Sequence, residues 1–169
     1  MKGWLLKRPA ERFGEITCDH FFDASDPDEV DSMYPDSRQA LVVLDRFTNF
    51  RLVYPASTKD AMDVEGALAD FQGREHVWLL YADNAEEYSA AARALKWRLE
   101  TCTPGEKRTN GLAEQCVRSV KDGGRKNMLQ AGLAYAWWPW AVRHWCFARN
   151  IKTVDGTSPY FERFEKTLR

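Results

Sequence analysis

Three acidic residues occupy positions from which carboxylates could act together. Asp19 lies in the β-prone stretch ITCDHF, Asp83 directly follows the apolar stretch VWLLYA, and Glu114 lies in the helical stretch NGLAEQCVRSVK. If the two strands that carry the aspartates are neighbours in one sheet, both carboxylates can reach one point beyond the sheet edge. Oxygen donors that meet at one point could hold a metal ion.

Two of these acids also fit ordinary structural roles. Asp83 precedes Glu86 by three residues, which is the spacing of a capping box at the start of a helix, and the stretch taken alone favours this interpretation. Glu114 precedes Arg118 by four residues, as in a helical ion pair worth about a few tenths of a kcal/mol. The residues alone leave these interpretations open beside the metal site.

The predicted helix around Glu114 has a basic face. Glu114, Arg118 and Lys121 form a stripe beside an apolar one, so the acid could hold a metal while the cations hold phosphate. Residues 1–102 carry 12 Lys and Arg against 19 Asp and Glu, whereas residues 103–150 carry 8 against 3. This asymmetry suggests an acidic site facing a basic surface, although the net charge of −1 lacks the basic excess of most nucleic-acid binders.

Length and composition predict one globular domain. With 169 residues, 44% of them hydrophobic, the chain can form its own core. We expect a single domain over residues 1–169, with an N-terminal lead-in at 1–13 and an acidic loop at 21–38. No stretch is long and apolar enough for a membrane span, so no membrane partner is expected. The cysteines form no C-x-x-C pair, which argues against a zinc ribbon and predicts reduced thiols in the cytosol or nucleus: Cys18, Cys102, Cys116 and Cys146.

Hydrophobic periodicity predicts a mixed sheet flanked by helices. Three strands precede the first helix, and two further strands alternate with helices, which is an α/β order. Gly73 is expected to cap the first helix, and Pro139 is expected to begin the last one. The strands are predicted at 14–22, 39–47, 49–57, 76–82 and 97–102, and the helices at 59–73, 86–96, 112–121 and from about 139 to 150.

The order of these motifs resembles a known family. Asp19 in ITCDHF, Asp83 in YADNAEEY and Glu114 in TNGLAEQCVRSVK resemble the DDE catalytic core of retroviral and LTR-retrotransposon integrases. The stretches VVLDRFTNFRLVYPASTKDA and AWWPWAVRHWCFARNIKTVDGTSPYFERF resemble other segments of that core, so the resemblance covers nearly the whole chain. It implies a ribonuclease H-like fold with a mixed five-stranded sheet flanked by helices.

The resemblance also implies a function. The chain would be a metal-dependent polynucleotidyl transferase that processes DNA 3′ ends and joins them to target DNA, and Asp19, Asp83 and Glu114 would be its catalytic residues and metal ligands. Mg²⁺, with Mn²⁺ as a substitute, suits such an all-carboxylate set. DNA, as retroelement ends and target, and further copies of the chain would be its partners. The implied DNA contacts are Asn84, Lys107, Arg108, Asn110, Arg118 and Lys121.

Some features depart from the family pattern or leave alternatives open. Ala85 stands where the family has a flexible glycine, and Gly123-Gly124 is expected to interrupt the catalytic helix. A nuclease on the same fold, or a catalytically silent module that binds DNA or dimerises, remains an alternative function. Alternation predicts that His20 points to the sheet face opposite Asp19. Four tryptophans are expected in the core rather than as stacking platforms for bases: Trp137, Trp138, Trp140 and Trp145.

Overall fold

A computed structural model describes residues 11–22, 37–101 and 111–165 of the chain. Most of the predicted acidic loop and lead-in lie outside the described residues, as do Lys107, Arg108 and Asn110. The strands are β1 (Ile16–Phe22), β2 (Gln39–Asp45), β3 (Arg51–Ala56), β4 (Leu79–Ala82) and β5 (Arg98–Thr101). The helices are α1 (Ala61–Gln72), α2 (Glu86–Leu95), α3 (Gly111–Ala131), α4 (Trp138–Ile151) and α5 (Pro159–Phe164).

The strands form one mixed five-stranded sheet in the order β3-β2-β1-β4-β5. The pairs β1–β2 and β2–β3 are antiparallel, whereas β1–β4 and β4–β5 are parallel. The predicted mixed sheet and its antiparallel pair are therefore confirmed. β1 lies at the centre, where neighbours on both sides hold it rigidly.

Two apolar layers cover the two faces of the sheet, because alternate residues of each strand point to opposite faces. On β1, Ile16 and Cys18 pack with α1 and α2, whereas Phe21 packs with α3 and α4. Asp19 lies two residues before Phe21 on β1, so its side chain points to the same face, which α3 covers. The three described cysteines are free and buried: Cys18, Cys116 and Cys146. Within the described residues, no helix is both long and apolar enough to cross a bilayer.

Helix ends follow the predicted signals in part. Gly73 has a φ of +64° and ends α1, as its lack of a Cβ allows, and Pro139 lies in the first turn of α4. The predicted tryptophan core is half wrong, because Trp138 is buried but Trp137 and Trp140 are 40% and 41% exposed. These rings lie on the outer side of α4 and of the short 3₁₀ turn before it.

The expected interruption of the catalytic helix at Gly123-Gly124 is wrong. α3 continues through both glycines to Ala131, and both are buried. A Cβ on Gly123 would overlap the Trp145 ring, and one on Gly124 would lie 2.6 Å from Val142 Cγ1. The missing side chains let α3 and α4 approach closely, and this packing offsets the low helix propensity of glycine.

We predict that Gly123→Ala lowers the free energy of unfolding by about 1–3 kcal/mol, because the Trp145 ring must move to make room. Gly66→Ala is the matched control, since Gly66 lies inside α1 with no atom near its missing Cβ. That substitution should stabilise by about 0.5–1 kcal/mol through helix propensity alone. Urea unfolding of the two variants measures both effects. Equal stabilisation by both alanines would refute the close-approach explanation.

Candidate active site

Asp19 lies on β1, and Asp83 directly follows β4, the parallel neighbour of β1 in the sheet. β1 and β4 are parallel, with Ile16 opposite Leu80 and Thr17 opposite Tyr81. Continuing this register by two residues places Asp19 beside Asp83, which directly follows the last residue of β4. A rigid central strand and the end of its neighbour thus position both carboxylates.

The capping-box interpretation of Asp83 is wrong. α2 begins at Glu86, and its N-cap residue is Ala85, whose side chain has no group to accept a hydrogen bond. Asp83 lies two residues before that N-cap, so it is not the capping residue of the helix. Asp83 is exposed to solvent.

The charge environment of Asp19 is that of a crowded acidic site. Burial, together with the charges of Asp83 and Glu114, raises the pKa of Asp19 from its ordinary value of 3.8 to about 6. Two effects oppose the rise: the backbone N–H of His20 donates to Asp19 Oδ1 at 2.8 Å, and the positive charge of Lys59 is close. Both other predicted ligands, Asp83 and Glu114, therefore act electrostatically on Asp19.

Asp83 has a second acidic neighbour. Burial and then the charge of Glu87 raise the pKa of Asp83, while Lys59 again opposes the rise. Glu87 lies in the first turn of α2 and is half-buried. Nothing in the local sequence pattern indicated that its charge would act on Asp83.

Glu114 lies on α3 and is exposed, one turn from the described start of the helix. Within the part of the chain that the structure describes, Glu114 forms no ion pair with Arg118. Among residues 11–22, 37–101 and 111–165, no three His, Cys, Asp or Glu side chains converge closely enough to hold a metal ion. A three-carboxylate site would therefore need these acids to lie closer together than they do in this structure.

His20 points to the face opposite Asp19, as alternation predicts. Its Nδ1 lies 2.6 Å from the hydroxyl oxygen of Tyr88, and the two rings stack with centroids 5.5 Å apart. Burial and then the charge of Lys59 lower the pKa of His20 to about 4. The imidazole is therefore neutral at physiological pH and braces β1 against α2.

Three of the predicted DNA contacts lie within the described residues: Asn84, Arg118 and Lys121. Asn84 is exposed directly after Asp83, and Arg118 is exposed on α3. Lys121 is half-buried, with Nζ 5.7 Å from the centroid of the Phe21 ring. Since Phe21 and Asp19 share one face of β1, these cations lie on the side of the sheet that Asp19 faces.

Sequence reasoning missed Lys59. This lysine lies in the loop between β3 and α1, and its charge acts on Asp19, His20 and Asp83. A single lysine in a polar loop carries no local signal of such a position. It becomes visible once the order and directions of the strands are known.

Comparison with known structures identifies the fold. The catalytic core domain of BIV integrase matches with a TM-score of 0.65 and 16% identity, over 90% of this chain and 94% of that one. A chain from the simian T-cell lymphotropic virus intasome in complex with PP2A regulatory subunit B56 gamma matches with a TM-score of 0.71 and 15% identity. That match covers 96% of this chain but 58% of the other, so this chain spans little more than half its length.

In sequence comparisons, no protein-family model and no curated protein matches the chain. The structural matches show that the chain has the ribonuclease H-like fold of retroviral integrase cores, which confirms the fold predicted from the sequence.

We predict that Asp19→Asn raises the melting temperature at neutral pH in buffer containing EDTA. The pKa of Asp19 is about 6 in the folded chain against an ordinary value of 3.8, so the folded state binds the proton more tightly. Protonation of Asp19 therefore stabilises the fold at low pH, and this stabilisation is lost as the pH rises from 3.8 through about 6. The advantage of the variant should be largest above about pH 6 and should shrink towards pH 3.8.

Asp122→Asn is the control for this titration, because Asp122 is an exposed acid on the same helix as Glu114. Its melting temperature should follow that of the wild type across the pH range. An Asp19→Asn effect of equal size at every pH would show that ionisation of Asp19 is not its cause.

Proposed function

We propose that this chain is the catalytic core of a metal-dependent polynucleotidyl transferase of the retroelement integrase type. It would trim DNA 3′ ends and join them to target DNA. The observation that carries the proposal is the register of β1 and β4, which sets Asp19 beside Asp83 on a fold shared with integrase cores. Glu114, on the helix that covers the same face, supplies the third acid.

The donor set suits a hard divalent cation. Asp19, Asp83 and Glu114 offer carboxylate oxygens, which Mg²⁺ and Mn²⁺ accept. Burial and the charges of Asp83 and Glu114 raise the pKa of Asp19, and a bound cation would favour its ionised form. When bound, such ions activate a water or a 3′-OH for attack on a phosphodiester and stabilise the leaving oxygen.

The protein's own residues would orient this chemistry. The hydrogen bond from the His20 N–H holds one oxygen of the Asp19 carboxylate in place. The neutral His20 ring, stacked on Tyr88, keeps that part of β1 fixed against α2. Positioning on rigid elements is what phosphoryl transfer needs most, because most of its catalysis is alignment and charge stabilisation.

DNA would be the partner at this edge. Arg118 and Lys121 lie one and two turns after Glu114 on α3, where they can contact phosphates without reading sequence. Asn84, and outside the described residues Lys107, Arg108 and Asn110, complete the proposed DNA contacts. One structural match comes from an intasome, which supports this assignment.

The chain would also act as a homo-oligomer. Trp140, His144, Phe147 and Ile151 follow each other at spacings of four, three and four residues along α4, and all four are exposed. Three of the four side chains are apolar, and exposed apolar residues of this spacing on one helix face are typical of helix pairing. A second copy of the chain would cover it.

A catalytically silent DNA-binding module is the second candidate function. It is favoured by one observation: within the described residues the three acids do not form a ready metal-binding group. For the transferase, DNA held by Arg118 and Lys121 would draw the start of α3 and Glu114 towards the aspartates, so that substrate binding and site assembly are coupled.

We predict that Glu114→Gln lowers the rate of DNA joining in Mg²⁺ by roughly a hundredfold or more, as removal of a group that stabilises transition-state charge does. DNA binding should persist or improve, because glutamine keeps the shape and helix propensity of glutamate and removes a negative charge. A strand-transfer assay with labelled duplex ends measures the rate, and fluorescence anisotropy measures binding.

Asp122→Asn, which also removes one exposed acid from α3, should join DNA at the wild-type rate. Equal joining by wild type and Glu114→Gln would exclude Glu114 as a ligand. Binding without cutting or joining by the wild type would favour the silent module, and cutting without joining would favour a nuclease.

A further inference from the structure

The topology of the sheet places Lys59 at the same end of the strands as Asp19 and Asp83. β1 and β3 both run antiparallel to β2, and β4 runs parallel to β1. β1, β3 and β4 therefore run in the same direction. The carboxyl ends of all three strands therefore meet at one edge. Gln39 of β2 pairs with Phe22 at the end of β1 and with Ala56 at the end of β3, and Lys59 follows Ala56 by three residues.

A contact with Phe22 holds the Lys59 side chain at this edge. Its Nζ lies 4.3 Å from the centroid of the Phe22 ring, which is a cation–π distance. Phe22 comes three residues after Asp19 on β1, and its side chain is 59% exposed. Lys59 itself is half-buried, so the loop after β3 carries its ammonium group across the end of β2 to β1.

The charge of Lys59 acts on the acids of the proposed site. It opposes the rise in the pKa of both Asp19 and Asp83, and it lowers the pKa of His20 on the other face of β1. Lys59 forms no ion pair with either aspartate among the described residues. Its ammonium group therefore lies near the carboxylates without being locked onto one, and it carries three donor hydrogens.

Lys59 and the cations of α3 approach the acids from different sides. Lys59 immediately precedes α1, which packs on one face of the sheet, whereas Arg118 and Lys121 belong to α3 on the other face. A phosphate that enters between these groups meets positive charge on both sides. Such an arrangement offsets the repulsion that the carboxylates exert on DNA.

We propose that Lys59 donates a hydrogen bond to a phosphate oxygen of the DNA strand that lies at the Asp19–Asp83 edge. The inference rests on the proposed function, because it takes DNA as the substrate. It assigns to the β3–α1 loop a contact close to the reacting phosphate, opposite the contacts made by α3.

A cycle of paired changes in protein and DNA tests this contact. Duplexes each carry one neutral methylphosphonate linkage, moved stepwise along the strand near its 3′ end, and anisotropy measures their affinity for the full chain in EDTA at low salt. The protein variants are Lys59→Met, which keeps the length of the side chain, Lys59→Arg, and the control Lys96→Met. Lys96 is exposed and follows α2 at the amino end of β5, the opposite edge of the sheet.

We expect one or two adjacent linkages at which neutralisation weakens binding of the wild type by roughly fivefold to tenfold. For Lys59→Met, a neutral linkage at those positions should not lower the affinity further, because this variant has already lost the contact. Lys59→Arg and Lys96→Met should be weakened there as much as the wild type. If Lys59 acted only through its charge at long range, Lys59→Met would weaken the binding of every duplex by a similar factor.

The possible failures are distinguishable. If the wild type binds DNA and Lys59→Met shows the same linkage profile, the contact is refuted while the proposed function stands. If the wild type does not bind DNA at low salt, the proposed function and this inference both fail. Melting curves of each variant confirm that the compared proteins are folded.

Discussion

The close approach of α3 to α4 determines where the functional groups of this chain can meet. Gly123 and Gly124 leave space that the Trp145 ring and the Val142 side chain fill, so α3 packs closely against α4 at this point. The helix then crosses the sheet face on which Asp19 lies, and it brings Glu114, Arg118 and Lys121 with it. Larger residues at the two glycines would push α3 away from α4 and shift all three side chains relative to β1.

The sheet contributes the complementary constraint. Parallel pairing of β1 with β4 brings Asp19 and Asp83 close enough for the charge of Asp83 to act on Asp19, and burial together with nearby acids raises the pKa of each. This arrangement disfavours the charged form of Asp19 in the isolated chain, which is a common property of sites that bind cations and phosphates. The surrounding structure compensates with the His20 N–H and the charge of Lys59, both of which favour the ionised carboxylate.

Sequence patterns predicted the elements well because strand alternation and helix periodicity are local. They also placed the two aspartates on strands that could be neighbours, and β1 and β4 do pair. Interactions between distant segments were not predictable in the same way. The low helix propensity of Gly123 and Gly124 indicated a break in the helix. Gly123 instead makes room for the ring of Trp145, which lies 22 residues further along the chain. Asp83 fitted a helix cap, but the helix begins two residues too late for that role. Lys59 carried no signal, because its position depends on the directions of three strands.

The central claim is that Asp19 and Asp83 together form a cation site, and thermal melting in Mn²⁺ or Mg²⁺ tests it most directly. Wild type, Asp19→Asn, Asp83→Asn and Asp122→Asn are compared in EDTA and at millimolar cation, with and without duplex DNA. A cation that binds only the folded state stabilises it by mass action. The account predicts a cation-dependent rise in melting temperature for wild type and Asp122→Asn that is lost in both site variants. A wild-type melting temperature that cations leave unchanged even with DNA, or an equal rise in all four proteins, would contradict it.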